Sequence, residues 1–127
     1  MDHTRKRILY VDDDPDIRMI AQMALEMVGG YEVIPCESGS EALNKALTCV
    51  PDLIVMDVMM PEMDGPTTLQ RLRTVAATAT IPVIFLTAKV QPAEVAHYQS
   101  LGALGVIAKP FDPMQLSTEI ERIWHHA

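Results

Sequence analysis

Five short apolar runs, each followed within a few residues by a stretch of helical period, govern what this chain can fold into. The clearest run is Asp52-Leu53-Ile54-Val55-Met56-Asp57. Its four consecutive apolar residues leave no polar face, as a strand covered by helices on both sides requires. Arg7 to Val11, Tyr31 to Cys36, Ile81 to Thr87 and Gly105 to Ala108 read as the other four strands. Between them lie helix signals. Asp14 as N-cap and Pro15 at the first turn open a face of Ile17, Ile20, Ala21, Ala24, Leu25 and Val28, which Gly29-Gly30 ends. Ser38-Gly39-Ser40-Glu41 has the form of a capping box before Ala42, Leu43, Ala46 and Leu47. Gly65-Pro66 opens a third helix with Leu69, Leu72 and Val75 inward. Gln91-Pro92 opens a fourth, to about Leu101, whose stripe of Val95, Tyr98 and Leu101 is thin, so its hold on the core should be the loosest. Asp112-Pro113 begins the last, with Leu116, Ile120, Ile123 and Trp124 on its apolar face.

Strand–helix units this short imply parallel strands joined by right-handed crossovers. Pro35 cannot donate to a ladder, which places the second strand at an edge. The expected fold is therefore α/β: a single-domain (βα)5 doubly wound parallel sheet over residues 1–127, with strand order 2-1-3-4-5.

Bulk properties narrow the function. A chain of 127 residues is one ordinary domain, and 49% hydrophobic with 21% charged residues is a globular balance. The formal net charge of −7 argues against direct nucleic-acid binding. No apolar run approaches the ~20 residues that span a bilayer, and the basic Met1-to-Arg7 end is not followed by a signal-peptide core. Cys36 and Cys49 have no metal or redox spacing, so a reducing, cytoplasmic compartment is the expectation.

A doubly wound sheet places its ligands at the C-terminal ends of the strands. Strand one delivers Asp12 and Asp13 there, strand three Asp57, strand four Thr87 and strand five Lys109. Three carboxylates meeting at one rim repel one another, by roughly 4 kcal/mol per pair at 4 Å and an effective dielectric near 20. Such a group must shift its pKa values or hold a cation, and an oxygen-only set with open positions suits Mg²⁺. With a lysine and a hydroxyl beside it, a free carboxylate becomes a nucleophile for phosphoryl transfer, giving an aspartyl phosphate.

The segments Val11-Asp12-Asp13-Asp14, Asp57-Val58-Met59-Met60-Pro61-Glu62-Met63-Asp64-Gly65, Leu86-Thr87-Ala88 and Lys109-Pro110-Phe111 resemble the receiver domains of two-component response regulators, the CheY-like type with a flavodoxin-like fold. The resemblance runs over essentially the whole chain. It implies that Asp57 accepts a phosphoryl group from a phosphohistidine on a sensor histidine kinase or a histidine phosphotransfer protein. It implies Mg²⁺ held by Asp13, by Asp12 mostly through water, by Asp57 and by the Met59 backbone carbonyl. Thr87 and Lys109 then bind phosphoryl oxygens, and Lys109-Pro110 is a cis peptide. Such a domain is not an enzyme, although it assists its own phosphorylation and dephosphorylation. Its output is expected through a downstream effector protein or an output domain absent from this chain, with a phosphorylation-dependent homodimer as a further expectation. Direct contact with nucleic acid or membrane is not expected.

Two departures and two rival readings go with this. Many relatives carry an aromatic residue where this chain has Val106, which has no ring to swing. Met59 places an apolar side chain by the site, where it should slow the attack of water on a phosphoryl group. One rival is a haloacid-dehalogenase-like phosphatase with Asp12 as nucleophile, but a substrate cap has no room here and Asp57 has no purpose in it. The other is a receiver-like scaffold that is never phosphorylated. Asp14 reads as a helix cap, Asp64 as turn chemistry, and His97, His125 and His126 as solvated. Met56, Met59, Met60 and Met63 read as core and loop apolar groups, not as metal ligands.

Overall fold

A computed structural model describes residues 5–125. Its elements alternate throughout: β1 (Arg7–Val11), α1 (Pro15–Met27), β2 (Glu32–Cys36), α2 (Gly39–Cys49), β3 (Leu53–Asp57), α3 (Gly65–Arg73), β4 (Val83–Thr87), α4 (Pro92–Ser100), β5 (Gly105–Ala108) and α5 (Leu116–His125). The strands form one parallel sheet in the order β2-β1-β3-β4-β5, as the alternation and Pro35 predict. The part of the N-terminal basic segment before Arg5, and His126, lie outside the described residues.

Side chains of successive strand residues go to opposite faces, and both faces are dry. Leu9, Val11, Ile54, Met56, Val83 and Phe85 meet Ala42 and Ala46 of α2 and Leu69 and Leu72 of α3. Ile8, Tyr10, Leu53, Val55, Ile84 and Leu86 meet Ala21 and Leu25 of α1 and Leu116 and Ile120 of α5. This two-sided burial is why the central strands lack polar alternation.

The caps fall where the sequence puts them, with one shift. Asp14 accepts from the Asp16 and Ile17 N–H groups at the start of α1, and Asp64 accepts from Thr67 N–H at the start of α3. Ser38 accepts from Glu41 N–H, but the Glu41 carboxylate accepts from Glu37 N–H at 2.7 Å, one residue earlier than the predicted box. Some boundaries are tighter than predicted. The second strand begins at Glu32, the fourth at Val83 and the last helix at Leu116. The apolar faces are also narrower. Ile20 and Val28 of the α1 stripe, Leu47 after α2's buried alanines, and Val75 beyond α3 are all exposed. Helix α4 has no buried residue, in line with its thin stripe, and meets the core mainly through Tyr98, whose ring lies edge-on to Phe85 at 5.4 Å.

Candidate functional site

Register decides what meets at the rim. Val11 pairs with Met56, Asp57 with Leu86, and Thr87 with Ala108, so the residues ending β1, β3, β4 and β5 lie side by side. Asp12 and Asp13 follow β1 directly. Asp12, Asp13 and Asp57 each offer a carboxylate oxygen, and these three atoms lie within 4.8 Å of one another. The Lys109 ammonium bridges them, 3.1 Å from Asp12 Oδ2 and 3.1 Å from Asp57 Oδ2. The Lys109-Pro110 peptide is cis, as expected.

The carboxylates differ in their freedom. Asp12 is fully buried and dressed by protein donors: Asp14 N–H on Oδ1 at 3.0 Å, and Tyr10 O–H at 3.3 Å together with Lys109 on Oδ2. Asp57 is buried with lone pairs to spare, taking Met59 N–H on Oδ1 at 3.3 Å and Lys109 on Oδ2. Asp13 is exposed. It borders an open cleft of about 460 Å³ lined also by Arg18, Glu37, Ser38 and Glu62. A hard divalent cation suits this oxygen set, because Asp13 opens on the cleft and Asp57 keeps lone pairs that its two donors do not use.

Electrostatics follow the burial. Desolvation lifts the Asp57 pKa above the ordinary carboxylate value, with Lys109 offsetting part of the rise. Burial by itself lowers the Lys109 pKa, but the hydrogen bonds and charges of Asp57 and Asp12 outweigh it and leave the amine above its usual value. The Tyr10 phenol is raised by burial first and by Asp12 second, so it remains a donor.

Thr87 is buried at the end of β4, but its Oγ1 accepts from Lys89 N–H at 3.1 Å instead of reaching Asp57. Met59 enters the site through its backbone, and the residue is 76% exposed. Gly65 is what lets the loop after β3 close: a Cβ there would lie 2.7 Å from the Asp57 carbonyl and 2.9 Å from the Phe85 ring. Two contributors escape a reading by motif. Tyr10 sits inside an apolar run, and only its place two residues before Asp12 on one strand hints that its hydroxyl reaches that carboxylate. Arg18 lies one turn into α1, and its guanidinium donates to the Asp12 carbonyl at 2.7 Å.

The remaining candidates are plain. His97 and His125 are exposed. Met56 and Met60 are buried in the core, and Met63 lies against Gly39. Cys36 is buried and Cys49 half-buried, both free. Val106 packs at the core edge and lines a groove of about 510 Å³ between α4 and α5, where no ring stands. No described helix is long and apolar enough to cross a membrane.

Comparison with known proteins agrees with this geometry. Residues 8–121 match the response regulator receiver domain family. The alkaline phosphatase synthesis transcriptional regulatory protein PhoP of Bacillus subtilis is 40% identical over 118 residues, 93% of this chain and 48% of that protein. The DNA-binding dual master transcriptional regulator RpaA of Synechocystis is 38% identical over 117 residues, 92% of this chain and 48% of that one. The chain thus spans about half the length of the curated relatives it matches. Chemotaxis response regulator CheY4 of Vibrio cholerae superposes with a TM-score of 0.87 at 33% identity, covering 94% of this chain and 99% of that one. By fold, motif placement and relatives together, the chain belongs to the response regulator receiver domains of two-component signalling.

Proposed function

We propose that Asp57 is the phospho-acceptor of this receiver and that the rim around it is the transfer site. The observation that carries the reading is Lys109 within 3.1 Å of both Asp57 and Asp12, with Asp13 completing the acidic cluster. An Asp57 carboxylate oxygen attacks the phosphorus of a phosphohistidine, on a sensor histidine kinase or a histidine phosphotransfer protein. The P–O bond to Asp57 forms as the P–N bond breaks, and the departing imidazole takes up a proton. Asp13, Asp57, the Met59 carbonyl and, through water, Asp12 would hold Mg²⁺, which would supply charge neutralisation to the transferring oxygens. Lys109 stabilises the same oxygens from the opposite flank. Thr87 donates its hydroxyl to one of them after releasing Lys89 N–H, and that exchange passes the change to the loop before α4.

The chain acts on itself and turns over no other substrate. We assign residues 1–127 to one receiver domain, working in the cytoplasm through a downstream effector protein or an attached output domain. A phosphorylation-dependent homodimer is part of this reading, and direct contact with nucleic acid is not. The phosphatase alternative requires Asp12 as nucleophile, yet that carboxylate is sealed from solvent and engaged by three donors.

Phosphoramidate, a small P–N donor, tests the reading. With Mg²⁺ the protein should take up a hydroxylamine-sensitive phosphoryl group, and chelating the metal should stop uptake. An acid-stable ester, or uptake indifferent to the chelator, would overturn the proposal.

A further inference from the structure

Tyr10 is fully buried, and its hydroxyl is aimed at the Asp12 oxygen that Lys109 also holds. Resting on the phospho-acceptor reading above, we propose that Tyr10 is a positioning residue whose hydroxyl keeps Asp12 satisfied when Lys109 leaves it for the phosphoryl group. The geometry sets up a competition. Asp12 Oδ2 takes two donors, Lys109 at 3.1 Å and Tyr10 at 3.3 Å, and the second is long for an O–H···O bond. Phosphorylation of Asp57 adds negative charge within reach of the ammonium, which turns toward it. Asp12 has no exposure to bulk water, so Oδ2 depends on protein donors even where a metal-bound water reaches the other oxygen. The Tyr10 ring is fixed in the α1–α5 core beside Leu25, Leu116 and Ile120, and its hydroxyl remains in place to shorten onto the vacated oxygen. Without it, Lys109 could leave only by stranding a buried carboxylate oxygen, and the phosphorylated state would be disfavoured.

The test compares the intact protein with Tyr10→Phe, which keeps the ring, with folding checked by melting. Two affinities are measured by calorimetry: Mg²⁺ alone, and beryllium trifluoride at saturating Mg²⁺ as the phosphoryl mimic. The expected result is a beryllium trifluoride affinity about three- to tenfold lower in Tyr10→Phe, the range of one net hydrogen bond. Mg²⁺ affinity should change less than about twofold, since Lys109 still covers Asp12 before the mimic binds. Equal loss of both affinities, loss of Mg²⁺ affinity alone, or no loss of either overturns the role of Tyr10 and leaves the phospho-acceptor reading standing. If the unaltered protein fails to bind the mimic with Mg²⁺ present, the phospho-acceptor reading itself falls and takes this inference with it.

Discussion

Asp57, the proposed acceptor, is costly to ionise: burial lifts its pKa, and Lys109 only partly offsets the rise. A carboxyl whose folded-state pKa lies above its unfolded value binds protons more readily in the folded state. Stability is therefore lost as pH rises from the ordinary carboxylate value of 3.8 through the folded-state pKa. Asp57→Asn removes that loss, along with repulsion from Asp12 and Asp13. The variant should melt a few degrees higher than the parent at neutral pH, with the gap closing toward pH 4; an unchanged gap across that range would show that Asp57's ionisation is not its source. Met59 is the second residue with a measurable signature. Its backbone N–H holds the Asp57 carboxylate and the residue is exposed, and Met59→Asn should speed the loss of the phosphoryl group severalfold by offering water a polar partner next to the proposed acceptor. An unchanged decay rate would remove Met59 from the account. Asp12, Asp13, Asp57 and Lys109 were legible because each sits at a strand end, where order along the chain translates into place on the rim. Thr87 was legible as a position, but its partner, Lys89 N–H, was not, since loop hydrogen bonds leave no periodic trace. Tyr10 was hidden because the same phenol that reaches Asp12 also serves as a core residue.

At the scale of elements, strand identity and order came from patterning alone, because continuous apolar runs and a strand proline have few structural solutions. Helix faces were less legible. Period 3.6 shows which residues share a side, but not how far the core reaches around it. Hence Ile20 and Val28 fall on the α1 stripe and are nonetheless exposed, as are Met19, Met23 and Met27 on the same helix. The start of α5 was misplaced by the Asp112-Pro113 signal, which instead opens a turn, with Asp112 accepting from Met114 N–H. Helices α4 and α5 should separate sharply under mutation. Ile120→Ala removes a fully buried side chain of α5 and should cost about 2–5 kcal/mol by denaturant unfolding. Val95→Ala in α4, where no residue is buried, should cost under about 1 kcal/mol. Similar costs would contradict the uneven anchoring of the two helices.

For the whole molecule, the proposed cation site links metal binding to folding through one rim. The sheet register holds carboxylates from β1 and β3 near one another, so the folded state resists its own site until a cation or Lys109 balances the charge. On the proposed reading Mg²⁺ binds the assembled cluster and not the unfolded chain, so it should stabilise the protein by about 2.7 kcal/mol at a hundredfold excess over its Kd. Asp13→Asn should abolish most of that gain in a thermal melt; a gain that survives the substitution would place the cation elsewhere.

The central claim is that residues far apart in sequence meet to make Asp57 an acceptor of phosphate. It is tested most directly by treating the protein with an acyl phosphate and Mg²⁺, reducing the product with tritiated borohydride, which expels phosphate and leaves tritium on the reduced residue, and mapping the tritium by peptide sequencing. Label at Asp57, lost in Asp57→Asn, is the predicted result. Label at Asp12, or none on a folded protein that binds Mg²⁺, would contradict it.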